Sequence, residues 1–77
     1  MNKSEVLENY DNYVIPNYPR HPFVIARGEG VHLWDTDGKR YLDLFSGWAV
    51  SSLGHCNPEV TKAMQEQAAT LVHVPNI

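Results

Sequence analysis

Residues 31–45 read VHLWDTDGKRYLDLF, and the middle of that stretch decides the fold. Thr36-Asp37-Gly38 separates two runs of strand-forming residues, Val31 to Asp35 and Arg40 to Phe45. Asp-Gly between such runs marks a hairpin, because glycine accepts the positive φ that the turn requires. Upstream, Phe23 to Arg27 also alternates with a period of two, and Gly28-Glu29-Gly30 reads as a bend leading into Val31. The expected unit is therefore a three-stranded antiparallel β-meander over 23–27, 31–35 and 40–45, with Val31 and Leu33 on one face.

Outside the meander the period changes. Ser4 is placed to cap a short helix with Glu5 and Glu8 near the positive end of its dipole. Val6, Leu7, Tyr10, Tyr13 and Val14 recur at helical spacing and predict its apolar stripe. Pro16, Pro19 and Pro22 then exclude regular helix, so the chain from Asn17 to Pro22 is an extended connector. Downstream, Asn57 is an N-cap residue, Pro58 suits the first helical position and Glu59 favours the dipole. Val60, Ala63, Met64, Ala68, Leu71 and Val72 predict one face of a helix of about four turns that Pro75 stops. The fold class is α+β, a helix, a meander and a second helix.

The chain has 77 residues, enough for one small domain, with 43% hydrophobic and 19% charged side chains, a globular balance. Two Trp, four Tyr and two Phe are more rings than so short a chain encloses, so these side chains are expected to meet surface elsewhere. A net charge of −3 without a basic stripe argues against nucleic acid as the main partner. No apolar run approaches the roughly 18 residues of a membrane span. The N-terminal residues carry no secretory h-region, and one cysteine fits a reducing compartment, so a cytoplasmic location is expected. The apolar Pro75-Asn76-Ile77 ending and the uncovered helix and sheet faces read as the opening of a longer protein.

Few residues invite chemistry. Gly28-Glu29-Gly30 lacks the third glycine and the following helix of a phosphate loop. His21, His32, His55 and His73 are too scattered for a metal site, and no metal is expected. Cys56 is read as a small half-buried thiol rather than a nucleophile. Asp37 is a turn former, while Asp35 and Asp43 flank the hairpin and can bond Lys39, Arg40 or backbone amides. No complete catalytic set is present. Tyr18, in the proline-locked connector, and Trp48, after Gly47 in an irregular stretch whose backbone can lie close to a ligand, are either packing or ligand-facing.

Arg27-Gly28-Glu29-Gly30, Leu33 to Asp43, Gly47-Trp48-Ala49-Val50 and Leu53-Gly54-His55-Cys56-Asn57-Pro58 resemble, in order and spacing, the N-terminal segment of class III aminotransferases. The resemblance runs from about Tyr13 to the end and is nearest to the acetylornithine branch, with the ornithine branch next. It departs from the family's Gly-His-x-His-Pro pattern at Asn57. The family consists of pyridoxal 5'-phosphate enzymes of fold type I, which act as homodimers. The resemblance implies that residues 1–77 are the N-terminal portion of the small domain, leading towards a large cofactor domain. It implies transfer of an amino group from N-acetylornithine to 2-oxoglutarate in arginine biosynthesis, with another ω-amino donor, ornithine or 4-aminobutyrate, as the alternative. A non-catalytic interaction module is the alternative from another class.

By the same resemblance, Tyr18 matches a tyrosine directed at the polar end of the substrate and Trp48 a position in the pocket wall. The Schiff-base lysine, the acid at the pyridine nitrogen and the phosphate cup lie downstream of the matched region. Lys3, Lys39 and Lys62 match none of them, so no catalytic or cofactor-binding residue is expected in residues 1–77, which alone should be inert.

Overall fold

The computed structural model describes residues 1–77. The chain runs through a helix α1 (Lys3–Tyr13), strands β1 (Ile25–Glu29), β2 (His32–Asp35) and β3 (Arg40–Leu42), and a helix α2 (Pro58–Thr70). The strands form one antiparallel sheet in the order β1-β2-β3, so the expected meander between two helices is present.

The start of α1 differs from expectation. Asn2, not Ser4, is the N-cap: its Oδ1 accepts from the Glu5 amide at 2.9 Å, and Glu5 Oε2 accepts from the Asn2 amide at 3.1 Å. This reciprocal box satisfies two otherwise orphaned donors, whereas a cap at Ser4 would put Leu7 where the returning acceptor must be. Val14 already has extended backbone, as the chain approaches Pro16.

The first hairpin turn also moves. Gly28 and Glu29 are not a bend; they pair with Leu33 and His32 inside the ladder, and the turn is Gly30-Val31, with Gly30 at φ +57°. Gly28 serves close approach instead, since a Cβ there would lie 2.9 Å from the His55 Cβ and 3.0 Å from Leu33 Cδ2. Val31 therefore belongs to the turn and does not share a strand face with Leu33. The register shifts between Ile25 and Arg27, leaving Ala26 as an extra residue that bulges β1.

The β2–β3 turn forms where Asp37-Gly38 predicts it, with Gly38 at φ +82°. Asp35 organises it: Oδ1 accepts from the Asp37 and Lys39 amides, both at 2.9 Å, and Oδ2 accepts from the Tyr41 hydroxyl at 2.8 Å. The Tyr41 phenol and the two amides hold the Asp35 carboxyl below its ordinary pKa, against the opposing effect of burial. β3 stops at Leu42, short of the expected Phe45, because the chain turns away at Asp43.

α2 begins as its sequence predicts. Asn57 Oδ1 accepts from the Glu59 and Val60 amides at 3.1 and 3.2 Å, and Pro58 opens the helix. It ends at Thr70, well ahead of Pro75, so Leu71 and Val72 lie outside its face. The Gln67 side chain closes this end by donating to the Leu71 carbonyl at 2.7 Å, and the β-branched Val72 and Val74 favour extended backbone beyond it.

No apolar side chain is buried; Asp35, 7% exposed, is the one buried residue. Neither helix packs on the sheet. The accessible surface is 6926 Å², whereas a compact monomer of 8.7 kDa would expose about 4,700 Å². The radius of gyration is 15.7 Å, against about 11.5 Å for a compact domain of this length. The excess of rings anticipated from composition is realised as open surface. Residues 1–77 prepared alone are expected to lack cooperative monomeric melting and near-UV circular dichroism. A sharp near-UV spectrum with a two-state melt of a monomer would contradict this.

Candidate functional site

After β3 the chain makes an irregular excursion from Asp43 to Asn57 that starts and ends at one carboxylate. The Asp43 amide donates to the Val31 carbonyl at 2.8 Å, tying the residue to the first hairpin turn. Its Oδ1 accepts from the Phe45 and Ser46 amides, both at 2.9 Å. Its Oδ2 lies 2.6 Å from His55 Nε2, twelve residues further on. The Ser46 amide, then His55, then the Phe45 amide hold the Asp43 carboxyl below its ordinary pKa. An ionised carboxylate only accepts, so Nε2 carries the hydrogen of this contact. The pair is sheltered, with side chains 12% and 20% exposed for Asp43 and His55.

His55 also returns the chain to the sheet. Its amide donates to the Gly30 carbonyl at 2.8 Å and its carbonyl accepts from the Gly30 amide at 3.0 Å, an antiparallel bridge. The approach needs glycine at 54: its φ is +84°, and a Cβ there would sit 3.2 Å from Gly30 Cα and O.

Between these anchors Ser46, Gly47, Trp48 and Ala49 all lie in the left-handed region, at φ +57°, +56°, +60° and +67°. Such a run costs roughly 1–2 kcal/mol for each residue with a Cβ. The Ser51 amide closes it onto the Ser46 carbonyl at 2.9 Å, and the Ser52 hydroxyl donates to the Ala49 carbonyl. The turn holds Phe45 and Trp48 against each other, with centroids 4.7 Å apart and planes tilted by 60°, yet 61% and 83% exposed. Beside it a groove of about 410 Å³ runs between residues 50–57 and the start of α2, lined by Val50, Leu53, His55, Val60 and Met64 among others.

Trp48 thus stands on a strained, well-anchored turn. Tyr18 stands apart from it, in the connector, 75% exposed and without an aromatic partner. The C-terminal side of the connector is tied to both neighbours: the Arg20 guanidinium lies 4.7 Å from the Tyr10 ring centroid of α1, and His21, Phe23 and Tyr41 stack in succession at 5.1 Å spacings towards the sheet. No aromatic pair or hydrogen bond joins Tyr18 to Trp48. Cys56 is exposed rather than half-buried, because its own φ of +54° places it on an open turn between the bridge at His55 and the cap at Asn57.

The carboxylates bond backbone amides, one of the expected arrangements, and none pairs with a second acid. The Asp43–His55 contact went unanticipated, since a twelve-residue gap across an irregular stretch leaves no periodic signal. The lysines do not fit a pyridoxal phosphate site. Lys3 pairs with Asp37 at 3.6 Å, Lys39 lies over the Tyr41 ring, and Lys62 is on exposed α2, so the three stand on separate elements and do not converge.

A chain with this meander, this turn and this motif order defines a class. Residues 13–77 match the family described as Aminotransferase class-III, and the chain belongs to that family. It is 44% identical over 72 residues to the acetylornithine aminotransferase of Myxococcus xanthus, an overlap covering 94% of this chain and 18% of that protein. The crystal structure of acetylornithine aminotransferase from Elizabethkingia anophelis superposes with a TM-score of 0.86 at 35% identity, over 97% of this chain and 19% of that one. An ornithine δ-aminotransferase structure from Plasmodium falciparum gives a TM-score of 0.84 at 32% identity, over 99% and 19% respectively. The chain therefore spans less than a fifth of the length of these relatives. No helix is long and apolar enough to cross a membrane.

A folded-state pKa below the unfolded one means that Asp43 stabilises the fold above the ordinary aspartate value, about 3.9. That contribution is lost as pH falls through the depressed folded value. In the whole protein, carbon-detected NMR should find Asp43 titrating below that value. Removal of His55 should raise it only in part, because the Ser46 amide is the larger cause. Titration of Asp43 at or above the ordinary value would refute the anchoring described.

Proposed function

We propose that this chain is the N-terminal portion of the small domain of a cytoplasmic, homodimeric acetylornithine-type aminotransferase. The whole protein would move the amino group of N-acetylornithine to 2-oxoglutarate, in arginine biosynthesis. The observation that carries this reading is the 44% identity to an acetylornithine aminotransferase along nearly the whole chain. Pyridoxal phosphate would be held by residues beyond the 77, because the lysines here are dispersed over separate elements. The likeness to ornithine δ-aminotransferase favours ornithine as the alternative donor.

Within this reading Tyr18 and Trp48 face the substrate. A free phenol on an extended connector can donate to a carboxylate, and an exposed indole on a fixed turn can pack on an aliphatic chain. Neither makes or breaks a bond. Steady-state kinetics of the whole protein with N-acetylornithine and ornithine tests the assignment. Tyr18→Phe should cost about 1.5–3 kcal/mol, ten- to a hundredfold in kcat/KM, with the cofactor absorbance unchanged. Trp48→Ala should alter the preference between the two donors more than it alters reaction with 2-oxoglutarate. Wild-type kcat/KM for every donor in both variants would reduce the two residues to packing.

A further inference from the structure

The turn at 46–49 poses a physical problem. Three residues with side chains, Ser46, Trp48 and Ala49, hold left-handed backbone beside Gly47. Such strain persists only where surrounding structure imposes it. No packed core does so here, since Leu44, Phe45, Trp48 and Val50 are all exposed. The constraint comes instead from polar contacts: the Ser51 and Ser52 bonds within the turn, and the anchors that fix it at either end. At the start, the two amides entering the turn, Phe45 and Ser46, are held by Asp43 Oδ1. At the far end, the chain is returned to the first hairpin by the bridge between His55 and Gly30. The only side-chain contact joining the two ends is that between Asp43 Oδ2 and His55 Nε2.

We infer that the Asp43–His55 pair is a positioning device that fixes the direction of Trp48 and thereby the fit of the amino donor. The inference rests on the reading of Trp48 as a substrate-facing residue in an aminotransferase. His55 touches no reacting atom in this scheme. It closes the loop whose tip bears the Phe45–Trp48 ring pair. Without that closure, Asp43 keeps its two amides and the backbone bridge to Gly30 remains, but no side chain ties the far end to the entrance of the turn. A wall that holds the donor then becomes a surface that must be ordered on binding. The loss then falls on donor binding rather than on the chemical step.

The test uses the whole protein with cofactor and two substitutions of one chemical type. His55→Gln places an amide donor close to where Nε2 lies, whereas His55→Asn is one methylene shorter and falls short of Asp43. His55→Asn is expected to raise KM for the amino donor about tenfold, with kcat and the cofactor absorbance within about twofold of wild type. His55→Gln should keep the donor KM within about threefold of wild type. In a Trp48→Ala background, the Asn substitution should change the donor KM by less than about twofold, because the wall it positions is gone. Equal donor KM values for the Gln and Asn variants would overturn the inference. So would a factor for Asn that is the same with and without Trp48, or loss of the cofactor. If the wild-type protein transaminates neither donor, the underlying functional reading fails instead.

Discussion

The carboxylate of Asp43 is where three separate pieces of backbone meet. Its own amide reaches Val31 in the first hairpin turn, one oxygen collects the amides that open the irregular excursion, and the other meets the histidine that ends it. Remove that carboxylate in thought, and the meander, the left-handed turn and the start of α2 are joined only through backbone bonds, from Asp43 to Val31 and between Gly30 and His55. Asp35 does comparable work at the opposite hairpin end, satisfying two turn amides and the Tyr41 hydroxyl. Both acids act as charged acceptors for backbone donors, which favours their ionised form. In a chain without an apolar core, these local polar clips define the shape.

Polar clips set geometry but do not supply the driving force of folding, which comes mainly from apolar burial. Here that burial is deferred. The surface in excess of a compact monomer, roughly 2,200 Å², is of the size that obligate interfaces bury. It is also distributed: the α1 stripe, the outer face of α2 and the Leu44–Leu53 excursion all expose large side chains. The same path nonetheless superposes on proteins about five times longer with TM-scores above 0.8. The conformation is thus one that larger folds hold in place, and the segment carries their local geometry without their core.

Much of this was legible in the sequence where the signal is local. Asp37-Gly38 fixes a hairpin because only a few residues tolerate its backbone, and Asn57-Pro58-Glu59 fixes a helix start through cap, ring and dipole together. The misplacements share a cause. Ser4 and Asn2 are both capping residues, and the choice was made by the return bond from Glu5. Gly28 looked like a bend because glycine permits one, whereas its lack of a side chain serves the approach of His55. Pro75 predicts the stop of α2, whereas the helix ends earlier, at Thr70, with a side-chain cap from Gln67. In the first two cases a reciprocal or tertiary contact decided between locally equivalent options, and in the third a local side-chain cap did. The Asp43–His55 contact is the extreme instance, because an irregular loop erases the periodicity that would relate its ends.

That irregularity has a use which a helix or strand could not provide. In a helix, successive side chains point round a cylinder; in a strand, they alternate. A left-handed turn of four residues does neither, and brings Phe45 and Trp48 together while leaving both rings open. The conformational cost, on the order of a few kcal/mol over Ser46, Trp48 and Ala49, is then the physical reason for a charged anchor at its entrance. A neutral acceptor would offer weaker hydrogen bonds to the same two amides. Chemistry and presentation are in this way separated in the segment: its lysines and acids are engaged in local pairs or left on open surface, and what it offers outward is shape.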